Sequence, residues 1–393
     1  MKKILSFGHI PTWAGGKQEQ GLANVIYQLA YYMAKFEDVE MTLAAFDVNT
    51  LKQKRDRLNL IGWTANSILI YSLFNLFTSI KWMFHILSDY KKYGHTIKNV
   101  PGFFIKGMFL HQSICVTKPE ILHLHGVQSL FYFPLINKEI KVAMTIHGMT
   151  GNDSNIEHSD LYAKLEETAC KCKRIEKLIF ISNQLVHDFK KFYGEILPSV
   201  EVILNAYDSE RFYYIEPIPH EHTTIATIAS VCDRKGQIRV VKALNRQKKI
   251  KYICVGGGSK QEIDELVKYS VDNNIDLSYL GKKLPDEIRN ILAGIDFMIL
   301  PSSSEGFGLV YMEAMACGVP VILPKNLPIV EEQGIIQPGK NAILLDDCTS
   351  ESIARVFSNL NQYSFNRHSV SDTVKNFTWD RIVAQYNKSF SEL

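Results

Sequence analysis

Two glutamates eight positions apart, Glu305 and Glu313, flank a glycine bend in PSSSEGFGLVYMEAMACGVPVI, the stretch from Pro301 to Ile322. Carboxylates at a set spacing invite comparison with the acid and base of a hydrolase. Eight helical residues advance ~12 Å, whereas the carboxyl groups of a glycosidase stand ~5–9.5 Å apart, so the spacing argues against that pairing. A carboxylate also accepts hydrogen bonds from vicinal hydroxyls such as a ribose diol. Glu313, two turns into a helix, and Glu305, in the preceding loop, could therefore hold two parts of one elongated ligand. The apolar spacing of LVYMEAMACG predicts a helix that closes at Gly318. The amides of Phe307, Gly308 and Leu309 then lie at its start without intrahelical partners, where phosphate or sugar oxygens are natural occupants. Gly306 and Gly308 let such a ligand approach the main chain. Taken alone, Glu313 still reads first as an ordinary exposed helix glutamate.

Cations and other polar groups recur at the ends of apolar runs. Lys235, in SVCDRKGQ, follows the run IATIAS, where an ammonium can neutralise a diphosphate leaving group. Arg234 beside it reads equally as a second cation and as an exposed turn arginine. Gly15 and Gly16 in AGGKQEQG lack the spacing of a dinucleotide fingerprint, and a tight turn is the plain reading. His147 ends VAMTIH, and His123 and His125 in ILHLHG read as structural histidines that cap a strand. VGGG, from Val255 to Gly258, reads as a structural turn.

The elements that must position these groups follow one pattern: short Ile/Leu/Val runs ending in Gly, Asn, Ser or His, each followed by helical periodicity. KKILSF, ILHLHG, VAMTIHG and KLIFIS form one series, and TIATIAS, KYICVGGG, LSYLG, DFMILPS and VPVILP a second. Such runs are buried parallel strands, which bind ligands at their carboxyl ends. The length of 393 residues and the 46% hydrophobic content favour two domains with a cleft between them. The fold class expected is α/β, with two Rossmann-like doubly wound domains facing each other. The first domain is placed at 1–212 and the second at 213–372, with the segment 373–393 returning to the first and IEPIPHEHTT as the linker.

A net charge of +3 from 44 basic and 41 acidic residues is too balanced for a nucleic-acid binder. The N-terminal apolar run is too short for a signal-peptide core, and seven irregularly spaced cysteines suit reduced thiols in the cytoplasm. The apolar segment from Ser67 to Leu87 admits two readings. One is an amphipathic helix packed on the first domain; the other is a helix on a membrane surface, supported by Trp82 and the basic stretch DYKKYGHTIK that follows.

The stretch EGFGLVYMEAMACGVPVI resembles the E-x7-E motif of the family-four retaining glycosyltransferases, which have the GT-B fold. Other pieces agree in order: Gly15-Gly16, the strand ends at His147 and Ser182, NAYD from Asn205 to Asp208, RKG from Arg234 to Gly236, VGGG and the terminal FTWD. The segment from about Asp47 to Val116 matches no motif. The resemblance implies that Glu305 meets the donor sugar, Glu313 the ribose hydroxyls, the Phe307–Leu309 amides the sugar and phosphates, and Lys235 the diphosphate. It implies that the Gly16 loop approaches the diphosphate or the acceptor, that His147 touches the transferred sugar, and that LGKK from Leu280 to Lys283 lies near the base. The family's usual arginine five residues before that lysine is Ser230 here, which leaves Arg234 as the candidate second cation.

No D-x-D pair occurs, so metal-independent transfer with no cofactor is expected, the lysine and the helix N-terminus taking the cation's place. The partners expected are a UDP-, GDP- or ADP-linked sugar and a sugar or lipid-linked glycan acceptor, at the cytoplasmic side or the inner face of the plasma membrane. A non-catalytic nucleotide-sugar binding protein is the alternative favoured by Ser230. A Rossmann oxidoreductase is a more distant one, since it leaves the paired glutamates unexplained.

Overall fold

The computed structural model describes residues 1–393 apart from 19–20, 47, 49–51, 90–95, 152–158, 246–248 and 333. It divides into two compact units, Met1–Leu204 with Trp379–Leu393, and Asn205–Thr378. The sequence reading put the division at 212 and the return at 373; the structure puts them at Leu204 and Trp379. The reason is a pairing the linker composition does not show. Tyr207 bridges to Thr378 and its amide donates to the Phe377 carbonyl at 3.0 Å, so NAYD and the proline-rich stretch after it belong to the second unit.

The first unit is built on β1 (Lys2–Gly8), β2 (Val39–Ala45), β3 (Gln53–Arg55), β4 (Leu58–Ile61), β5 (Ile121–His125), β6 (Lys141–Ile146), β7 (Lys177–Phe180) and β8 (Ser199–Val202). Their order is β3-β4-β2-β1-β5-β6-β7-β8, parallel except for β3 on β4. Strands covered on both faces need apolar residues at every position, which is why β5 and β6 read as unbroken runs. Helix α1 (Gly21–Met33) buries Ala23, Ile26, Ala30 and Met33 at helical spacing. The terminal Trp379–Ser391 helix packs on α1 and buries Trp379, Ile382, Val383, Tyr386 and Phe390. Its end is fixed to β7, where the buried Lys177 ammonium bonds Glu201, Glu392 and the Ser389 carbonyl, each at 3.1 Å.

The Ser67–Leu87 segment is not one helix. It forms α2 (Ala65–Phe74) and α3 (Leu76–Asp89), bent by 108° at Asn75. Both pack on α4 (Val100–Thr117). No single helix among the described residues is long and apolar enough to cross a membrane. Lys91 and Lys92 of the basic stretch lie outside the described residues.

The second unit holds β9 (Thr224–Ile228), β10 (Lys251–Val255), β11 (Leu277–Gly281), β12 (Phe297–Ile299), β13 (Val321–Pro324) and β14 (Ala342–Leu345), in the order β11-β10-β9-β12-β13-β14. Successive strands run outward from β9 in one direction and from β12 in the other. The two meet in parallel register, Phe297 on Ile225 and Met298 on Ala226. Strand order therefore reverses between β9 and β12, and the loops leaving their carboxyl ends splay to either side of a crevice, the usual ligand site of an open parallel sheet.

Candidate functional site

Those two loops carry the residues singled out by spacing. After β9 the chain makes a short 3-10 turn, Asp233–Lys235, and leaves it through Gly236 at φ 82°. A Cβ there would come within 2.8 Å of the Pro301 carbonyl oxygen, so only glycine lets this turn lie against the loop after β12. The loops are then stitched together. The Ser303 amide donates to the Arg234 carbonyl at 2.9 Å, the Arg234 guanidinium donates to the Ser304 carbonyl at 2.8 Å, and Arg239 donates to the Pro301 carbonyl at 3.1 Å.

This stitching brings Lys235 and Glu305 into direct contact through Nζ and Oε1. The Ser302 hydroxyl donates to the same Oε1 at 2.6 Å, and Arg234 stands 4.0 Å from Oε2. The Glu305 and Lys235 side chains are only 9% and 14% exposed, so the pair is screened little by solvent. Arg234, half exposed, faces the same carboxylate, so two cations converge on it; the Ser230 carbonyl accepts from Gln237 at 2.9 Å. Ser302 is fully buried, and sequence reasoning missed it because one serine in a serine-rich loop carries no pattern.

The Leu309–Ala316 helix starts beyond Glu305. Gly308 precedes it at φ 89° with no side chain capping the helix; the Tyr311 amide bonds back to the Gly308 carbonyl at 3.1 Å, and the amides before it are left to a ligand. A Cβ on Gly308 would fall 2.6 Å from the Tyr311 ring, and Tyr311 is itself locked by its hydroxyl on the Leu300 carbonyl at 2.7 Å. Gly306 is exposed and is not among the glycines with positive φ. The Phe307 ring is buried, so that residue can offer only its backbone.

Glu313 is not an ordinary exposed helix glutamate. The residue is half-buried, and desolvation first, with the charge of Asp208 second, pushes its carboxyl up to about 7. Its carboxylate makes no hydrogen bond among the described residues. Asp208, in NAYD, is buried and paired with Arg211 at 3.1 Å; its bearing on Glu313 is the feature the sequence did not disclose. VGGG is a turn of close backbone approach, since a Cβ on Gly256 would lie 1.9 Å from the Ala229 oxygen. Lys282 packs over Gly257, where a Cβ would meet its side chain at 2.2 Å.

Residues 208–373 match the family model described as glycosyl transferases group 1. The second unit is a group 1 glycosyltransferase domain. An uncharacterized glycosyltransferase of Methanocaldococcus jannaschii is 24% identical over 280 residues, 70% of this chain and 69% of that protein. A GDP-mannose-dependent monoacylated alpha-(1-6)-phosphatidylinositol monomannoside mannosyltransferase of Corynebacterium glutamicum is 28% identical over 170 residues, 38% of this chain and 44% of that protein. Sucrose-phosphate synthase of Thermosynechococcus elongatus shares the fold at TM-score 0.78 and 15% identity, over 100% of this chain and 99% of that one. The two α/β units thus have the Rossmann-like layout of the GT-B fold.

In the first unit, the switch in strand order falls between β1 and β5, and a cavity of about 380 Å³ opens at their carboxyl ends, lined in part by Phe7, Phe46, Lys106, His125, Gln128 and Phe131. His147 reaches it through a neighbour. Its Nε2 lies 3.0 Å from His125 Nδ1, and His125 Nε2 lies 3.0 Å from the Ser6 hydroxyl. Burial lowers His147 to about 3 and His125 well below its usual range, which favours neutral rings, one donating to the other in their shared bond. His123, one strand position earlier, is fully buried on the Thr145 hydroxyl at 2.8 Å. His123 is structural as expected, though it sits in the core rather than capping the strand end, whereas His125 lines the cavity.

At Gly16 the glycine loop packs too closely for a side chain. A Cβ on Gly16 would overlap the Ile10 carbonyl at 1.8 Å, and the Gly16 amide donates to the Pro11 carbonyl at 2.9 Å.

Proposed function

We propose that the chain transfers a glycosyl group, with retention of anomeric configuration and without a metal ion, from a nucleotide diphosphate sugar to an acceptor hydroxyl. The observation that carries this reading is the Lys235–Glu305–Ser302 cluster beside an uncapped helix start, with Glu313 left without a hydrogen-bond partner two turns on. Glu313 accepts from the ribose diol, the Phe307–Leu309 amides receive phosphate and sugar oxygens, and Lys235 with Arg234 faces the diphosphate. The bond that breaks joins the anomeric carbon to the diphosphate oxygen, and the bond that forms joins that carbon to the acceptor oxygen on the same face. The acceptor proton passes to the departing phosphate, so no separate base is required. Charge that grows on the leaving group is met by groups already in place, the arrangement that lowers a barrier most.

Support for a nucleotide-linked donor comes from the group 1 match and from the GDP-mannose-dependent mannosyltransferase among the relatives. That relative's phosphatidylinositol-linked acceptor also favours a glycan or lipid-linked glycan acceptor, in surface polysaccharide or glycan synthesis at the inner face of the plasma membrane. His147 and Gly16 are assigned to the transferred sugar and the diphosphate by resemblance.

A panel of UDP-, GDP- and ADP-sugars tests the donor: one class should raise the melting temperature, since a ligand that prefers the native state stabilises it. Turnover should persist in chelator, and proton NMR of the first product should show the donor's anomeric configuration; inversion, or activity restored only by magnesium, contradicts the reading. Ser230 favours a second one, a nucleotide-sugar binding protein without chemistry. Slow hydrolysis of the stabilising donor excludes it.

A further inference from the structure

On α2 and α3 Ser72 and Ser79 point inward and Phe74, Phe77 and Phe84 outward, the reverse of a helix pair packed wholly against protein. The buried residues are Ile68 and Ser72 on α2 and Ser79, Trp82 and Ile86 on α3. The inner seam is specific: the Ser79 hydroxyl donates to the Ser72 carbonyl at 2.9 Å, and the Trp82 indole lies where a Cβ on Gly107 would meet it at 2.4 Å. Trp82, cited in support of the membrane-surface alternative, is therefore an inward anchor. What faces out is Leu73, Phe74, Leu76, Phe77, Ile80 and Phe84, with Phe74 87% and Phe77 82% exposed. A continuous apolar patch of this kind marks an interaction surface rather than ordinary scatter.

Charge indicates what covers it. From Leu58 to Pro119 the sequence holds six lysines and one acid, Asp89. Asp89 is engaged by His85 at 3.6 Å, while Lys81 and Lys98 are exposed. A second copy meeting this face would set lysines against lysines. A 14-residue α3 rises only ~21 Å, short of the ~30 Å hydrocarbon core, and the 108° bend prevents α2 from extending it.

We propose that the α2–α3 elbow seats in the headgroup–acyl boundary of an anionic phospholipid surface, with Phe74 and Phe77 at the bend entering deepest and Lys81 and Lys98 meeting lipid phosphates. The elbow packs on α4, which also supplies Phe103 and Lys106 to the first unit's cavity. Docking there brings that cavity toward the lipid phase. The inference stands on the first unit and does not depend on the donor chemistry of the second.

Flotation of the full chain with phosphatidylcholine vesicles, and with equimolar phosphatidylcholine and phosphatidylglycerol, tests it. The protein should float with the anionic vesicles and much less with the neutral ones, and added salt should release it. Phe74→Ser with Phe77→Ser should cut flotation at least ~10-fold while leaving the melting temperature and stabilisation by the donor sugar unchanged. Protein that stays at the bottom of both gradients overturns the proposal, as does a double variant that floats like the parent. A dimer in light scattering that the double substitution makes monomeric, without flotation, assigns the face to a second copy and likewise overturns it.

Discussion

Lys235 is the residue whose loss should separate chemistry from binding. It is held against Glu305, at the point where a leaving diphosphate would gather charge, so Lys235→Ala should lower kcat at least ~10-fold and weaken donor affinity less. Steady-state kinetics with calorimetric donor binding checks this, and weaker binding at unchanged turnover would remove the assignment. Glu313 gives a pH signature. It accepts two hydroxyl bonds only when ionised, and burial raises it to about 7, so donor affinity should rise between pH 6 and 8 and lose that rise in Glu313→Gln. The same burial acts oppositely on stability. A carboxyl raised in the folded state leaves stability intact below its unfolded value and takes it away as pH rises through about 7. Glu313→Gln should therefore melt a few degrees higher than the parent at pH 8 and no higher at pH 4. The glutamates and the lysine were legible because their types and spacing recur with glycines at an element boundary. Ser302 and Asp208 were not, because what distinguishes them is a partner brought close by the fold.

At the scale of elements, the strand–loop–helix unit after β12 depends on Gly308. Both its φ of 89° and the Tyr311 ring against its Cα exclude a side chain. Gly308→Ala should cost about 1–3 kcal/mol and abolish donor-induced stabilisation, as read by thermal melts with and without ligand. Gly306→Ala, at an exposed position outside the left-handed region, should fold normally. Strands were readable along the chain because a strand covered on both faces must be apolar throughout. The break between α2 and α3 was not. The segment has no proline or glycine, and its turn depends on Asn75, whose side-chain amide donates to the Tyr71 carbonyl at 3.0 Å while Ser72 and Ser79 join behind it. Those contacts need α4 as a platform, and α4 lies in the stretch that matched no motif.

For the whole molecule, the C-terminal helix is part of the first unit's core. Removing residues 379–393 would expose the face of α1 and leave Lys177, whose side chain is 6% exposed, without Glu392 and the Ser389 carbonyl. Glu201 alone would remain to it, and a buried charge that loses most of its partners, with the α1 face uncovered as well, is costly, so this truncation should yield insoluble or unfolded protein, with circular dichroism and sedimentation as the readout. Acid should weaken the same unit through its histidines. A histidine lowered in the folded state leaves stability whole above its unfolded value of ~6.5 and loses it as pH falls, here toward about 3 for His123 and His147. His147→Gln should flatten the decline in melting temperature below pH 6.

The sequence by itself determined the two parallel sheets, the glutamates and the lysine at their carboxyl edges, and the family to which the second unit belongs, since each is written in local periodicity or in a short contiguous motif. Tertiary structure decided where the units divide, which hydroxyl and which carboxylate bear on Glu305 and Glu313, which histidine lines the cavity, and which face of α2 and α3 is left uncovered. Those depend on groups far apart in the chain meeting at a few ångströms, and no window along a sequence contains such a distance.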